Sequence, residues 1–432
     1  MPEFSGLLIV MAVAFAVPFL LGLAPGVRVP SIVLEIVMGI VVGPSVLGWV
    51  KIDESIEVVS LIGLAFLLFL SGIEIDFMRL RGRSLRLAGL GFVLSFAIAL
   101  AVGFGLGAVG LVDTPLLIAI ILCATSLGVV VAVLKDAGEV GSTFGQLVIA
   151  AGSIADFGAI ILLSLFFSGE GGIGSTLVLL GGLLLLALAM IYALRGAERS
   201  MRIRDDLVRL QDTTAQIRVR AAMLLLVGFA AVAEALGLEA ILGAFAAGAI
   251  ISLVDRDELM THPDFRLKLE AIGFGFFIPV FFVTSGVRYD LDALLAKPSN
   301  LAMLPIFLAA LVAVRGLPAL LYRPVIGDRR ALVAALMQST SLPFIVAATA
   351  IGLDLELLDG AQAAALIGAG LLSVLLFPAA GLAVLSAGDD SAPEHAADAT
   401  GRTAAEWAAA TGSTATRSST SASTASGRAS PG

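Results

Sequence analysis

The chain has 432 residues, 59% of them hydrophobic and only 14% charged, against roughly 25% charged residues in ordinary soluble domains. With a mean hydropathy of +1.05, this composition excludes a soluble globular domain and specifies an integral membrane protein. The net charge of −8 comes with no basic patch for nucleic acid, and the single cysteine, Cys123, excludes an internal disulfide.

Apolar runs separated by charged or Gly/Pro-rich breaks predict thirteen spans, at residues 4–24, 30–50, 56–75, 87–111, 114–134, 144–168, 172–194, 218–236, 238–254, 271–287, 300–322, 330–351 and 360–386. In lipid every backbone polar group must be bonded within its own segment, and these runs lack strand alternation, so the spans are helices. The first run has Glu3 as its only early charge and no small-residue cleavage site. It reads as a retained span rather than a signal peptide. Residues 387–432, rich in Ala, Ser, Thr and Gly, are expected to form a disordered tail after a membrane domain at 1–386, with no soluble regulatory domain appended.

Basic residues fix an expected orientation. One alternating set of loops carries 19 Lys and Arg, including Arg79, Arg81, Arg83, Arg86 and seven Arg between 195 and 220; the other set carries three, Lys51, Arg288 and Lys297. The first set is therefore expected in the cytoplasm of an inner-membrane protein, with the N-terminus outside and the C-terminus inside.

The chain also carries an internal repeat. Leu34-Glu35-Ile-Val-Met-Gly39 matches Leu238-Glu239-Ala-Ile-Leu-Gly243; Ser71-Gly72 with Asp76 matches Ser285-Gly286 with Asp290; Ala124-Thr125-Ser126-Leu127-Gly128 matches Ser339-Thr340-Ser341-Leu342-Pro343. The copies lie seven spans apart, an odd number, so the second runs through the membrane in the opposite sense. The expected organisation is repeat one at about 4–168, a linker helix at about 172–194, and repeat two at about 218–386. Inverted repeats of this kind build secondary transporters, with sites where discontinuous helices meet. The matched words in spans five and twelve are the expected breaks, with Leu127, Gly128, Thr340, Ser341 and Pro343 as their backbone. The alternative is that Ser and Thr there bond back to the preceding helical turn.

Between Gly145 and Phe167 the only charge is Asp156, near the middle of the run. A carboxylate there costs roughly 2.5–3.5 kcal/mol to insert, which marks a proton or cation path; a helix–helix polar contact is the bland alternative. Thr125, Ser126, Ser153 and freed carbonyls would supply neutral oxygens around a hard cation, so Na⁺, K⁺ or Li⁺ fits Asp156 better than a transition metal. Arg315 is the only other charge deep in a span. It cannot lose its proton, which leaves two readings, a fixed countercharge for Asp156 or a structural cap on the carbonyls of a broken helix. Glu35, Glu74, Glu234 and Glu239 sit near predicted span ends, where snorkelling or capping explains them. The two histidines, His262 and His395, lie in a polar loop and the tail, so no membrane histidine triad or zinc site is available, and a second deep Asp for an intramembrane aspartyl protease is lacking. A transporter without cofactor is expected; a cation channel and a transporter-fold sensor are the alternatives.

Several words then align with a known family. Glu35-Ile-Val-Met-Gly-Ile-Val-Val-Gly-Pro-Ser-Val-Leu-Gly48, Phe66-Leu-Leu-Phe-Leu-Ser-Gly-Ile-Glu-Ile-Asp76, Gly243-Ala-Phe-Ala-Ala-Gly248 and Phe276-Phe-Ile-Pro-Val-Phe-Phe-Val-Thr-Ser-Gly286 resemble the second branch of the monovalent cation:proton antiporter superfamily, which holds Kef-type and NapA-like exchangers. The resemblance covers about residues 5–386. It implies a NapA/NhaA-like antiporter fold of thirteen helices, crossed broken helices, a homodimer, and elevator-like exchange of Na⁺ or K⁺ for H⁺. Asp156 then matches the ion-binding aspartate of the sixth helix, Thr125 and Ser126 fall on the broken fifth, and Arg315 falls where the family has a basic core residue. Family members usually place Asp, Asn or Gln immediately before the aspartate; this chain has Ala155. One titratable carboxylate implies electroneutral exchange. Lacking a nucleotide-binding regulatory domain, the chain is expected to prefer Na⁺ to K⁺.

Overall fold

The computed structural model describes residues 4–23, 29–74, 82–167, 173–198, 216–254 and 264–386. The expected tail at 387–432, His262, His395 and the charged loops holding Arg28, Arg79, Arg81, Arg199 and Arg256 lie outside the described residues. Met1–Leu382 forms one compact unit.

Among the described residues the regular structure is entirely helical. The helices are α1 (Phe4–Leu23), α2 (Ser31–Val42), α3 (Glu54–Glu74), α4 (Gly82–Ala108), α5 (Pro115–Leu122), α6 (Leu127–Asp136), α7 (Thr143–Phe167), α8 (Ile173–Glu198), α9 (Ile217–Ala235), α10 (Ala240–Val254), α11 (Asp264–Ile272), α12 (Ile278–Val287), α13 (Leu291–Leu295), α14 (Pro298–Leu311), α15 (Arg323–Gln338), α16 (Pro343–Asp354) and α17 (Gly360–Ser386). Nine segments are long and apolar enough to cross a bilayer, one of which, Pro298–Asp354, holds two passes. With α2, α9 and α10 the described residues make thirteen passes, in the expected order.

Two boundaries differ from the sequence reading, each for a local reason. The second pass ends at Val42, not 50, because Pro44 offers no N–H to continue it; Gly43 N–H closes on the Gly39 carbonyl, and Trp49 and Val50 N–H both fold back to the Val42 carbonyl. The tenth pass begins at Asp264 rather than 271, since charged Arg266, Lys268 and Glu270 sit on its first turns. The twelfth starts close to the expected 330, since Gly327, with φ of 78°, breaks it from the short helical turn that opens at Arg323. Two π-helical stretches were not legible at all, Gly273–Phe277 between α11 and α12 and Val312–Gly316 after α14. Each lies just before a proline, Pro279 or Pro318, whose missing N–H deprives the carbonyl four residues earlier of its partner and makes the helix rewind.

The helices pack as two bundles, α1–α3 with α9–α12, and α4–α7 with α14–α16. In the first, backbones meet at glycines. A Cβ on Gly286 (α12) would land on the Ile36 carbonyl of α2, and one on Gly39 on the Val283 carbonyl. In the same way Gly72 (α3) faces the Phe245 carbonyl of α10, and Gly248 the Phe69 carbonyl. Such small-residue seams let membrane helices approach closely enough for dispersion to hold them. The two seams are copies of one another: Gly72 corresponds to Gly286, and Gly39 to Gly248. The α2/α10 correspondence therefore runs from 39 to 248, five residues away from the Gly39–Gly243 match that the sequence words gave. Short apolar words matched in a neighbouring register; backbone contact identifies the equivalent glycine.

Candidate functional site

In the second bundle, the fifth and twelfth passes each break in the middle. Residues 123–126 separate α5 from α6, and residues 339–342 separate α15 from α16. The breaks sit slightly earlier than the sequence words placed them. Thr340 and Ser341 are in the gap, but Leu127, Gly128 and Pro343 open the second half-helices instead. Pro343 is suited to that first position, where its fixed φ fits and no N–H is needed.

The two gaps cross. Ser126 N–H donates to the Thr340 carbonyl at 2.7 Å, and the Thr125 hydroxyl donates to the Gln338 carbonyl at 2.9 Å. The crossing gathers the N-terminal ends of α6 and α16 and the C-terminal ends of α5 and α15, two partial positive and two partial negative poles. Each sign has a charged side chain beside it. Asp156, at mid-length on α7, accepts from Thr125 N–H through Oδ1 at 3.0 Å, just ahead of the α6 N-terminus. Arg315, carried on the π stretch and 1% exposed, donates Nε to the Thr125 hydroxyl at 2.9 Å, Nη1 to the Ser95 hydroxyl at 3.0 Å, and Nη2 to the Gln338 side-chain oxygen at 3.3 Å and the Ala151 carbonyl at 3.4 Å.

Those four acceptors are neutral and come from α4, the α5–α6 gap, α7 and α15. Arg315 is thus a clamp across the second bundle. It reaches the carboxylate's surroundings through Thr125, whose hydroxyl it holds and whose N–H holds Asp156. Beside Asp156, Ala155 is fully buried and its side chain offers no polar atom.

Asp156 is half-buried and lines a cavity of about 1050 Å³ together with Thr125, Ser126, Leu127, Gly128 and Pro343. The cavity extends between the bundles toward the C-terminal ends of α3 and α17 and the start of α2, at Glu74, Leu382 and Pro30. Ser126 and Ser341, one from each gap, both hold buried side-chain hydroxyls without a hydrogen-bond partner among the described residues. Buried orphan oxygens are uncommon, and a pair at the crossing is chemically suited to an ion that prefers neutral oxygen. Ser153 does not join this set. Its hydroxyl donates to the Ile149 carbonyl at 2.9 Å, the ordinary bond to the preceding helical turn, and it is outside the cavity lining.

Sequence reasoning missed Ser95, Gln338, Ser373 and Glu74. Ser373 on α17 accepts from Ser341 N–H at 3.0 Å and donates to the Gly370 carbonyl at 2.7 Å, so it takes in the second half the place Asp156 takes in the first. The carboxylate is confined to one of two related halves. Polar residues inside apolar helices were the available signal, though a lone Ser usually satisfies itself within its own helix. Glu74 was dismissed because it ends a span.

Two helices that break and cross beside a single carboxylate, within inversely related halves, define the architecture of a secondary transporter. The chain belongs to the transmembrane sodium/hydrogen exchanger family, whose profile matches residues 11–384. It is 31% identical over 389 residues to YjbQ of Bacillus subtilis, covering 87% of this chain but 62% of that protein, less than two thirds of its length. It is 30% identical over 270 residues to the Na⁺/H⁺-K⁺ antiporter GerN of Bacillus cereus, covering 61% of this chain and 67% of that one. Among solved structures, the sodium proton antiporter MjNhaP1 of Methanocaldococcus jannaschii shares the fold, with a TM-score of 0.64 at 19% identity over 89% of this chain and 98% of that one.

Proposed function

We propose that the chain exchanges one monovalent alkali cation for one proton, with Asp156 binding each in turn. The observation that carries this reading is the placement of Asp156: a carboxylate held by the Thr125 backbone N–H, open to a cavity that Ser126, with its orphan hydroxyl, also lines. A proton and a dehydrated cation compete for such a group, since burial favours the protonated form and neutral oxygens favour the cation. Thr125 and Ser126 complete the ion site from the α5–α6 gap, and Thr340 and Ser341 line the crossing from the other side. Na⁺ is the first expected substrate and K⁺ the second; the name of GerN includes both ions.

With one carboxylate and one monovalent ion, exchange is electroneutral. The hydrogen bonds of Arg315 to neutral groups support a structural role for it, with its charge balancing the negative poles of α5 and α15 at the crossing. The loop charges support a cytoplasmic face at the C-terminal end of α3, and so a cavity open to the cytoplasm. The chain is read as an inner-membrane homodimer of two inverted repeats, about 4–168 and 218–386, joined by α8.

The test is cation-induced alkalinisation of proteoliposomes acidified inside, read by an internal pH dye, with Na⁺, K⁺ and Li⁺ in turn. Wild-type protein responds to at least one cation without a transport current, and Asp156→Ala responds to none. A current abolished by Asp156→Asn would refute electroneutrality; equal responses from wild type and Asp156→Ala would refute the mechanism.

A further inference from the structure

The cavity holds a second carboxylate that the exchange scheme does not use. Glu74 is the last residue of α3, half-buried, and lines the same cavity as Asp156. Its Oε2 lies 4.0 Å from where a Cβ on Gly128 would sit, so it hangs over the first turn of α6, the half-helix that follows Thr125 and Ser126. Among the described residues no hydrogen bond or salt bridge is formed by Glu74; the basic side chain on the neighbouring α11, Arg266, attracts it through space but is bonded to Glu270 at 2.8 Å. A carboxylate whose nearest cation is already shared with another carboxylate, facing the same cavity as Asp156, is costly, and a mobile cation would serve as its counter-charge.

Position adds to the argument. Glu74 belongs to the bundle of α1–α3 and α9–α12, whereas Asp156, Thr125 and α6 belong to the other. The one cavity is therefore lined by a carboxylate from each bundle.

We infer that Glu74 is a second, transient binding station for the transported alkali cation, which raises its occupancy at the cavity face and passes it to Asp156. The inference rests on the reading of Asp156 as the ion carrier. The competing explanation is that Glu74 only complements the positive N-terminal end of α6 and so stabilises the fold.

The two separate in side-resolved kinetics. Wild type, Glu74→Gln and Asp156→Asn are compared in everted and right-side-out membrane vesicles, with Na⁺ and K⁺ titrated from each face. Glu74→Gln is expected to raise the KM for the cation on the cavity face about three- to tenfold, the scale of one nearby charge acting through a partly wet cavity, while the KM on the opposite face and the maximal rate stay within about twofold. An unchanged KM, or an equal change on both faces, would overturn the inference. So would a fall in maximal rate at constant KM, the pattern of a purely structural cap. If Glu74→Gln does not assemble, Glu74→Asn is read in the same way with the same outcomes. Exchange surviving in Asp156→Asn would refute the underlying mechanism, whereas exchange lost there with Glu74→Gln normal would refute this inference alone.

Discussion

Arg315→Gln isolates what the buried guanidinium does. The substitution keeps a polar side chain but removes the charge and the fork that reaches Ser95, Thr125, Ala151 and Gln338. Interhelical hydrogen bonds in membrane proteins average about 0.6 kcal/mol, so four of them come to roughly 2.4 kcal/mol. Charge assistance raises that sum, and relief from burying a guanidinium lowers it. The expected net loss is therefore about 2–3 kcal/mol. Cys123 supplies the assay: it is the only cysteine, fully buried, and two residues before Thr125. A thiol-reactive fluorogenic dye in detergent reports its exposure on heating. Arg315→Gln should shift the midpoint clearly downward. Arg315→Lys should fall between, since an ammonium keeps the charge but cannot span acceptors on four separate segments. Wild-type melting of Arg315→Gln combined with lost exchange would refute the clamp and make Arg315 a countercharge for transport.

Three further outcomes follow from the same contacts. Thr125→Val, which keeps the N–H to Asp156 but loses the hydroxyl that Arg315 and the Gln338 carbonyl share, should cost about 1–2 kcal/mol by the same dye assay, with Thr125→Ser near wild type. Gly286→Ala places a methyl against the α2 backbone and should destabilise by about 1–3 kcal/mol, whereas Gly182→Ala, with nothing within 4 Å, should be neutral or stabilising. Asp328, exposed at the Gly327 kink that precedes the twelfth pass, is held below the usual aspartate range by the side-chain bond and charge of Arg323. A depressed carboxyl stabilises above its unfolded pKa and loses that contribution only as pH falls through the folded value, below the usual aspartate range. Asp328→Asn should therefore leave the pH profile of exchange between about pH 6 and 9 unmoved; a shifted profile would contradict this.

The passes were legible because burial in lipid demands long apolar runs, and the single carboxylate at Asp156 stood out because such a run rarely tolerates one. The crossing was legible through the repeated Thr-Ser words, since repetition made a coincidence of helix-breaking residues informative. Other features depend on contacts that a linear pattern does not record. Nothing in Val312–Gly316 marks a π stretch except the proline two residues on, yet that rewinding is what carries Arg315. Gly39 pairs with Gly286, and its equivalent is Gly248, not Gly243, because seam geometry and not word similarity sets equivalence. Ser153 looked like a ligand one turn before Asp156, but its hydroxyl bonds back to its own helix. Glu74 looked like an ordinary span end because the cavity beside it is formed by helices distant in sequence.

Competition of proton and cation for one carboxylate is most directly measured as proton release on cation binding. Purified protein in weakly buffered detergent solution, containing a pH indicator, is titrated with Na⁺ and then with K⁺. The account predicts about one proton released per cation bound by wild-type protein, and no release from Asp156→Asn that melts like wild type. Cation binding without proton release, or release of the same size from Asp156→Asn, would contradict it.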